Sequence, residues 1–156
     1  MKIIIAADHG GFILKEKLKE YIQKVLGHEC QDYGCYKQES CDYPDYAFLV
    51  AEAVANGICD YGIMIDGAGV GSAITANKVP GVRAVVANEI YTARNSREHN
   101  NANLLTLGSH VIGEGLSKEI VRIWLGTEFA GGRHARRVMK IVEFEKRLFS
   151  KQRERY

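Results

Sequence analysis

The sequence predicts an α/β domain of the Rossmann-like, doubly wound kind: a five-stranded parallel sheet with flanking helices. Two observations carry the prediction. Short apolar runs bounded by turn residues alternate with stretches in which apolar residues recur at helical spacing. Those helical stretches are long enough to serve as the crossovers that parallel strands need. A third observation agrees: the chemically unusual residues sit just after the first and third strands, where doubly wound sheets place their sites.

The elements follow in order. Ile3 to Ala7 is a continuous apolar run, as expected of a strand buried on both faces. It leads into Asp8-His9-Gly10-Gly11, after which Phe12, Leu14, Leu18, Tyr21, Ile22, Val25 and Leu26 mark a helix. His28 to Tyr33 reads as a second, weaker strand. Cys35 to Asp45 is irregular, with Asp42 or Pro44 as the start signal of a helix through Val54. Asp60 to Ile65 is the third strand, followed by Asp66-Gly67-Ala68-Gly69-Val70-Gly71 and a short helix to about Asn77. Val82 to Ala87 and Leu104 to Leu107 are the fourth and fifth strands, with a helix over Glu89 to Arg97 between them. Ser117 to Leu125 and His134 to Leu148 complete the helices. Residues 1–150 form one domain in this reading, and 151–156 form a polar tail expected to fray.

Composition narrows the function. At 156 residues, 46% hydrophobic and 26% charged, the chain has ordinary globular composition. A net charge of +2 gives no strong field for nucleic acid or an anionic membrane, so neither is an expected partner. No apolar run approaches the roughly 18 residues needed to span a bilayer, and signal features are missing, which predicts a cytoplasmic protein. Cys30, Cys35, Cys41 and Cys59 show no C-x-x-C spacing and no matching histidines. They read as reduced thiols with no metal site.

Four groups of residues are candidates for chemistry. In Asp66 to Gly71, three glycines at alternate positions between strand and helix let backbone N–H groups converge on an anion. The alternative is simply a tight turn; no Walker lysine follows, and G-x-G-x-G after a third strand is no dinucleotide fingerprint. Asp8 and His9 follow a buried strand directly, where a site or a helix cap would put them. Arg133 and Arg137 are four apart near a helix start, a poor place for positive charge without an anionic partner. A phosphate clamp or a solvated basic face accounts for them. Last, Ser96 to Asn103 is dense in polar groups, with His99 suited to acid–base work or the asparagines to capping.

These same residues carry a resemblance. Asp8-His9-Gly10-Gly11-Phe12 through Lys15 is similar to the opening of the type B ribose-5-phosphate isomerases and the related galactose-6-phosphate isomerases. So are Asp42-Tyr43-Pro44-Asp45-Tyr46-Ala47, Gly67-x-Gly69-x-Gly71 with Ala76-Asn77-Lys78, Ser96-Arg97-x-His99-Asn100, and Gly131-Gly132-Arg133-His134 with Arg137-Val138. The resemblance implies a Rossmann-like fold, a homodimer or homotetramer with shared active sites, a sugar-phosphate substrate, and no cofactor. It implies that Asp8, His9 and Tyr43 meet substrate, that Arg133 and Arg137 hold its phosphate, and that His99 opens the sugar ring. Asn100 would assist at the developing oxyanion, and Gly67, Gly69 and Gly71 would supply backbone donors to the enediolate.

Three positions depart from the common pattern. Asp66 stands where many members carry a cysteine base, Ala68 where they carry threonine or serine, and His110 where an arginine is usual. A second branch of the family uses a glutamate where this chain has Ser72. A carboxylate is chemically competent to move a proton between adjacent carbons, so Asp66 is the expected base and His110 an expected substrate contact. The rival readings are a non-catalytic sugar-phosphate binder, an inactive partner subunit, or a nucleotide-binding module.

Overall fold

The structure is a computed structural model that describes residues 1–153, with side chains through residue 150. The elements are β1 (Lys2–Ala7), α1 (Phe12–Lys24), β2 (Glu29–Asp32), α2 (Tyr43–Ala55), β3 (Tyr61–Asp66), α3 (Val70–Ala76), β4 (Ala84–Val86), α4 (Ile90–Asn100), β5 (Leu104–Gly108), α5 (Glu114–Gly126) and α6 (Gly132–Arg153). All strand pairs are parallel, in the order β2-β1-β3-β5-β4. The Rossmann-like reading is therefore observed. Residues 151–153 continue α6, whereas the rest of the expected tail, 154–156, lies outside the described residues.

The two faces of the sheet build two cores. One joins Ile3, Ile5, Ile63, Ile65, Leu105 and Leu107 to Leu14, Leu18 and Ile22 of α1 and Ile120 and Trp124 of α5. The other joins Ile4, Ala6, Met64 and Leu104 to Ala47, Val50, Ala51 and Val54 of α2 and Ala76 of α3. The period-2 side-chain alternation of β1 and β3 thus feeds both layers, which is why these strands read as unbroken apolar runs. β4, at the sheet edge and half-buried throughout, keeps only three residues of the longer expected strand.

α1 leaves β1 on one face and α2 enters β3 from the other, so the winding reverses between β1 and β3. The crevice at such a reversal is where open α/β sheets bind ligands. It is bounded here by the loops after Ala7 and after Asp66. A buried ion pair braces it from behind: the Lys15 ammonium, fully buried, donates to both oxygens of Asp32 at 2.7 Å and to the Cys35 carbonyl at 2.6 Å.

Candidate active site

The carboxyl edge of the sheet gathers Asp8, His9, Tyr43, Asp66, Gly67, Gly69, Gly71 and His110. Asp66 ends β3 buried, and the loop folds around its carboxylate. One oxygen accepts the Ala68 N–H at 2.8 Å and the Gly69 N–H; the other accepts the Ser72 N–H at 3.0 Å and the Ser72 hydroxyl. Gly69 adopts φ 81°, a left-handed conformation that a side chain would strain. Its carbonyl accepts the buried Thr106 hydroxyl at 2.8 Å, which ties the loop to β5. The sequence, read against the family pattern, made Asp66 the expected base and gave it no structural part. In the structure it is also the anchor of the glycine loop.

The neighbours close around this loop. The Tyr43 ring lies over Gly71 so tightly that a Cβ there would come within 2.5 Å of Tyr43 Cζ. A Cβ on Gly67 would come within 2.9 Å of the His110 ring, and one on Gly10 within 3.5 Å of its Nε2. His110 therefore reaches across both loops, in the place of the arginine that the family pattern carries. Ser109 N–H and Oγ fasten this segment to the Asp66 carbonyl at 2.8 and 3.1 Å. Asp8 accepts the Gly11 N–H at 3.0 Å, so its side chain does cap the turn into α1, and it remains at the mouth of the crevice. His9 is exposed, with Nδ1 3.3 Å from the backbone of Cys41.

The second group lies elsewhere. His99 and Asn100 end α4, three residues before β5 begins, and so sit at the amino edge of the sheet. Asp66 pairs with Gly108 at the other end of β5, about 13 Å away along the strand. The Ala130 N–H donates to the Glu98 carbonyl at 3.0 Å, docking the start of α6 against α4. Arg133 and Arg137 project from that start, both exposed. Within one chain Arg133 and Arg137 are therefore not neighbours of the expected base.

Sequence reasoning passed over two residues here. His134 is buried and stacks flat on His99, ring centroids 4.0 Å apart and planes 5° from parallel. Asn95 meets His99 Nδ1 at 2.8 Å. The helical spacing of Asn95 and His99 was a readable signal; a stack between residues on two different helices was not. Burial lowers the His134 pKa, and His99, Arg133 and Arg137 add to the effect, with Glu98 opposing.

Comparison with known proteins agrees with the fold and the family resemblance. Residues 3–141 match the family described as Ribose/Galactose Isomerase. Ribose-5-phosphate isomerase B of Escherichia coli is 49% identical over 146 residues, covering 94% of this chain and 97% of that protein. The structure of Clostridium thermocellum ribose-5-phosphate isomerase B is 53% identical, with TM-score 0.92 and 95% and 99% of the two chains covered. That of Mycoplasma genitalium ribose-5-phosphate isomerase B, holding ribulose-5-phosphate, is 43% identical, with TM-score 0.88 and 93% and 96% covered.

Proposed function

Because the chain belongs to the ribose/galactose isomerase family, we propose that it interconverts the aldose and ketose forms of a sugar phosphate, with ribose 5-phosphate and ribulose 5-phosphate the first pair to test. The observation that carries this reading is the loop at the sheet's switch point, which presents backbone donors around a buried carboxylate. Isomerisation needs one base that moves the C2 proton to C1 through a cis-enediolate, and donors for the oxyanion that develops. In this reading Asp66 is the base. All four of its donors orient it, and the Ser72 hydroxyl is the one that can rotate away to free a lone pair on Oδ2, which keeps the Ser72 N–H. His99 opens the furanose, and Asn100 with the N–H groups of Gly67 and Gly71 serves the oxyanion; the expected Gly69 donor is instead taken by the Asp66 carboxylate. His9, His110, Arg133 and Arg137 serve the phosphate.

A second copy of the chain completes the site. The two groups lie at opposite edges of one sheet, so a substrate that needs both must draw them from different copies. Two exposed apolar surfaces support assembly: Phe48, Leu49 and Ile74 on α2 and α3, and Met139, Ile141, Phe144 and Leu148 on α6. We read the protein as a cytoplasmic homodimer or homotetramer. No helix among the described residues is long and apolar enough to cross a membrane.

The test is isomerisation of ribose 5-phosphate in deuterated water, followed by NMR. Ketose should appear with deuterium entering at the exchanged carbon. A panel of pentose and hexose phosphates that bind without either signal would overturn the assignment.

A further inference from the structure

We propose that His134 is a positioning residue for His99: its ring is the platform that, together with the Asn95 amide, holds the His99 imidazole in one tautomer and leaves Nε2–H free for the ring oxygen of the sugar. The proposal rests on the reading of His99 as the ring opener.

The geometry gives each partner a distinct part. The two imidazoles are stacked face to face, 4.0 Å apart with planes 5° from parallel. His134 is the member whose surroundings disfavour a positive charge. It lies in the first turn of α6, at the positive end of the helix dipole. Its Nε2 faces the Arg133 Nε–H at 3.4 Å, and Arg137 is one turn further on. Burial and these same cations lower its pKa, with Glu98 the opposing charge. His99 therefore rests against an aromatic face whose surroundings disfavour a positive charge.

Asn95 then sets the proton on His99. An amide N–H donating to Nδ1 at 2.8 Å requires that nitrogen to be unprotonated, which puts the proton of the neutral ring on Nε2. The spacing of the two rings is fixed by the backbone bond from Ala130 to Glu98, which holds α6 against α4. Opening a furanose breaks the bond between C1 and the ring oxygen. The ring oxygen takes a proton, the C1 hydroxyl gives one up, and a carbonyl forms, with no net change in protons. A histidine with a fixed Nε2–H can deliver the first of these protons; one that spins or exchanges tautomers delivers it only part of the time.

The experiment compares two aldoses on the full-length protein. Ribose 5-phosphate is a cyclic hemiacetal. Erythrose 4-phosphate carries its phosphate on the oxygen that would close a ring, so it has no ring to open. His99→Asn and His134→Ala should each lower kcat/KM on ribose 5-phosphate by on the order of tenfold relative to erythrose 4-phosphate. His134→Phe, which keeps a flat ring, should recover most of that ratio. Weaker phosphate binding cancels because both sugars carry one. Nitrogen-15 NMR supplies a readout independent of turnover: His99 should show a single Nε2–H tautomer in the wild type and averaged ring nitrogens in His134→Ala. If His99→Asn changes the substrate ratio and His134→Ala does not, the proposal falls while the reading of His99 stands. If neither changes it, the ring-opener reading falls and takes the proposal with it. Should the four-carbon sugar not be turned over, the NMR tautomer decides alone, and an unchanged His99 spectrum in His134→Ala overturns the proposal.

Discussion

The two halves of the site are built in opposite ways. At the carboxyl edge, backbone and buried side chains saturate one another: Asp66 takes four donors, Thr106 holds Gly69, and Tyr43 covers Gly71. At the amino edge, Arg133, Arg137 and Asn100 are exposed, and only His99 and His134 are held by packing. The first half is preorganised by its own fold, as a site for a developing charge must be. The second presents Arg133 and Arg137, which have no carboxylate partner among the described residues, as the proposed phosphate site requires. In the proposed reading, one half is organised before substrate arrives and the other awaits its phosphate.

The sharpest way to break this contrast is at Asp66. Asp66→Asn should lower isomerisation by at least about a thousandfold, because an amide accepts no C2 proton. It should also cost about 1–3 kcal/mol of stability, since one amide face would turn N–H toward the Ser72 N–H and hydroxyl. Proton exchange at C2 and thermal unfolding, measured side by side, separate the two losses. Equal exchange in wild type and variant would move the base elsewhere, with Ser72, Asp8 and His99 the next candidates.

Mixing variants tests whether the halves come from different copies. Asp66→Asn and Arg133→Ala chains are each expected to be inactive. In a mixed dimer, one site inherits both substitutions and the other inherits neither. Random mixing should therefore restore about a quarter of wild-type activity, if the interface has two-fold symmetry. No recovery in dimers verified as mixed would place both residues in one subunit's site.

Arg137→Ala should act more gently, on KM. Loss of a charge-assisted contact costs on the order of 2–4 kcal/mol, and kcat should change less than KM. Unchanged affinity for ribose 5-phosphate would remove Arg137 from the phosphate site.

Much of the carboxyl-edge half was legible in the sequence, because it is local. Ile3 to Ala7 and Asp60 to Ile65 are apolar runs that end in the residues of interest, and strand direction alone places Asp8, His9 and the glycines on one edge. The placement of the other half depends on sheet order, with β5 lying between β3 and β4, and on α4 running back to the amino edge. No periodicity reports that; the expectation of shared sites came from family resemblance. Asp66 shows a subtler limit. An aspartate ahead of a glycine loop reads equally as base or as loop anchor, and only the convergence of Gly69 and Ser72 on its oxygens reveals the second role.

The last expected effect is on stability and not on turnover, and concerns what braces the preorganised half. Burial alone would raise the Asp32 pKa, but hydrogen bonds from Lys15, Lys19 and the Gly34 N–H hold it below the ordinary 3.8. A depressed carboxylate contributes stability that is fully present above the unfolded value and is lost as pH falls through the folded one. The brace should therefore be intact at neutral pH and weaken only below about pH 4. Lys15 also holds the Cys35 carbonyl, and the segment that follows carries Cys41, whose backbone meets His9. Acid should accordingly loosen the His9 side of the crevice before it reaches α4 and α6. Hydrogen exchange near pH 3.5 should show earlier exchange in residues 33–42 than in residues 95–100. Asp32→Ala should produce that pattern at neutral pH, at a cost of about 1–3 kcal/mol, because the buried Lys15 ammonium would keep only Glu16 and the Cys35 carbonyl. Equal protection of both segments in that variant would mean that the brace does not distinguish the two halves, and that the rigidity of the carboxyl edge comes from the glycine loop alone.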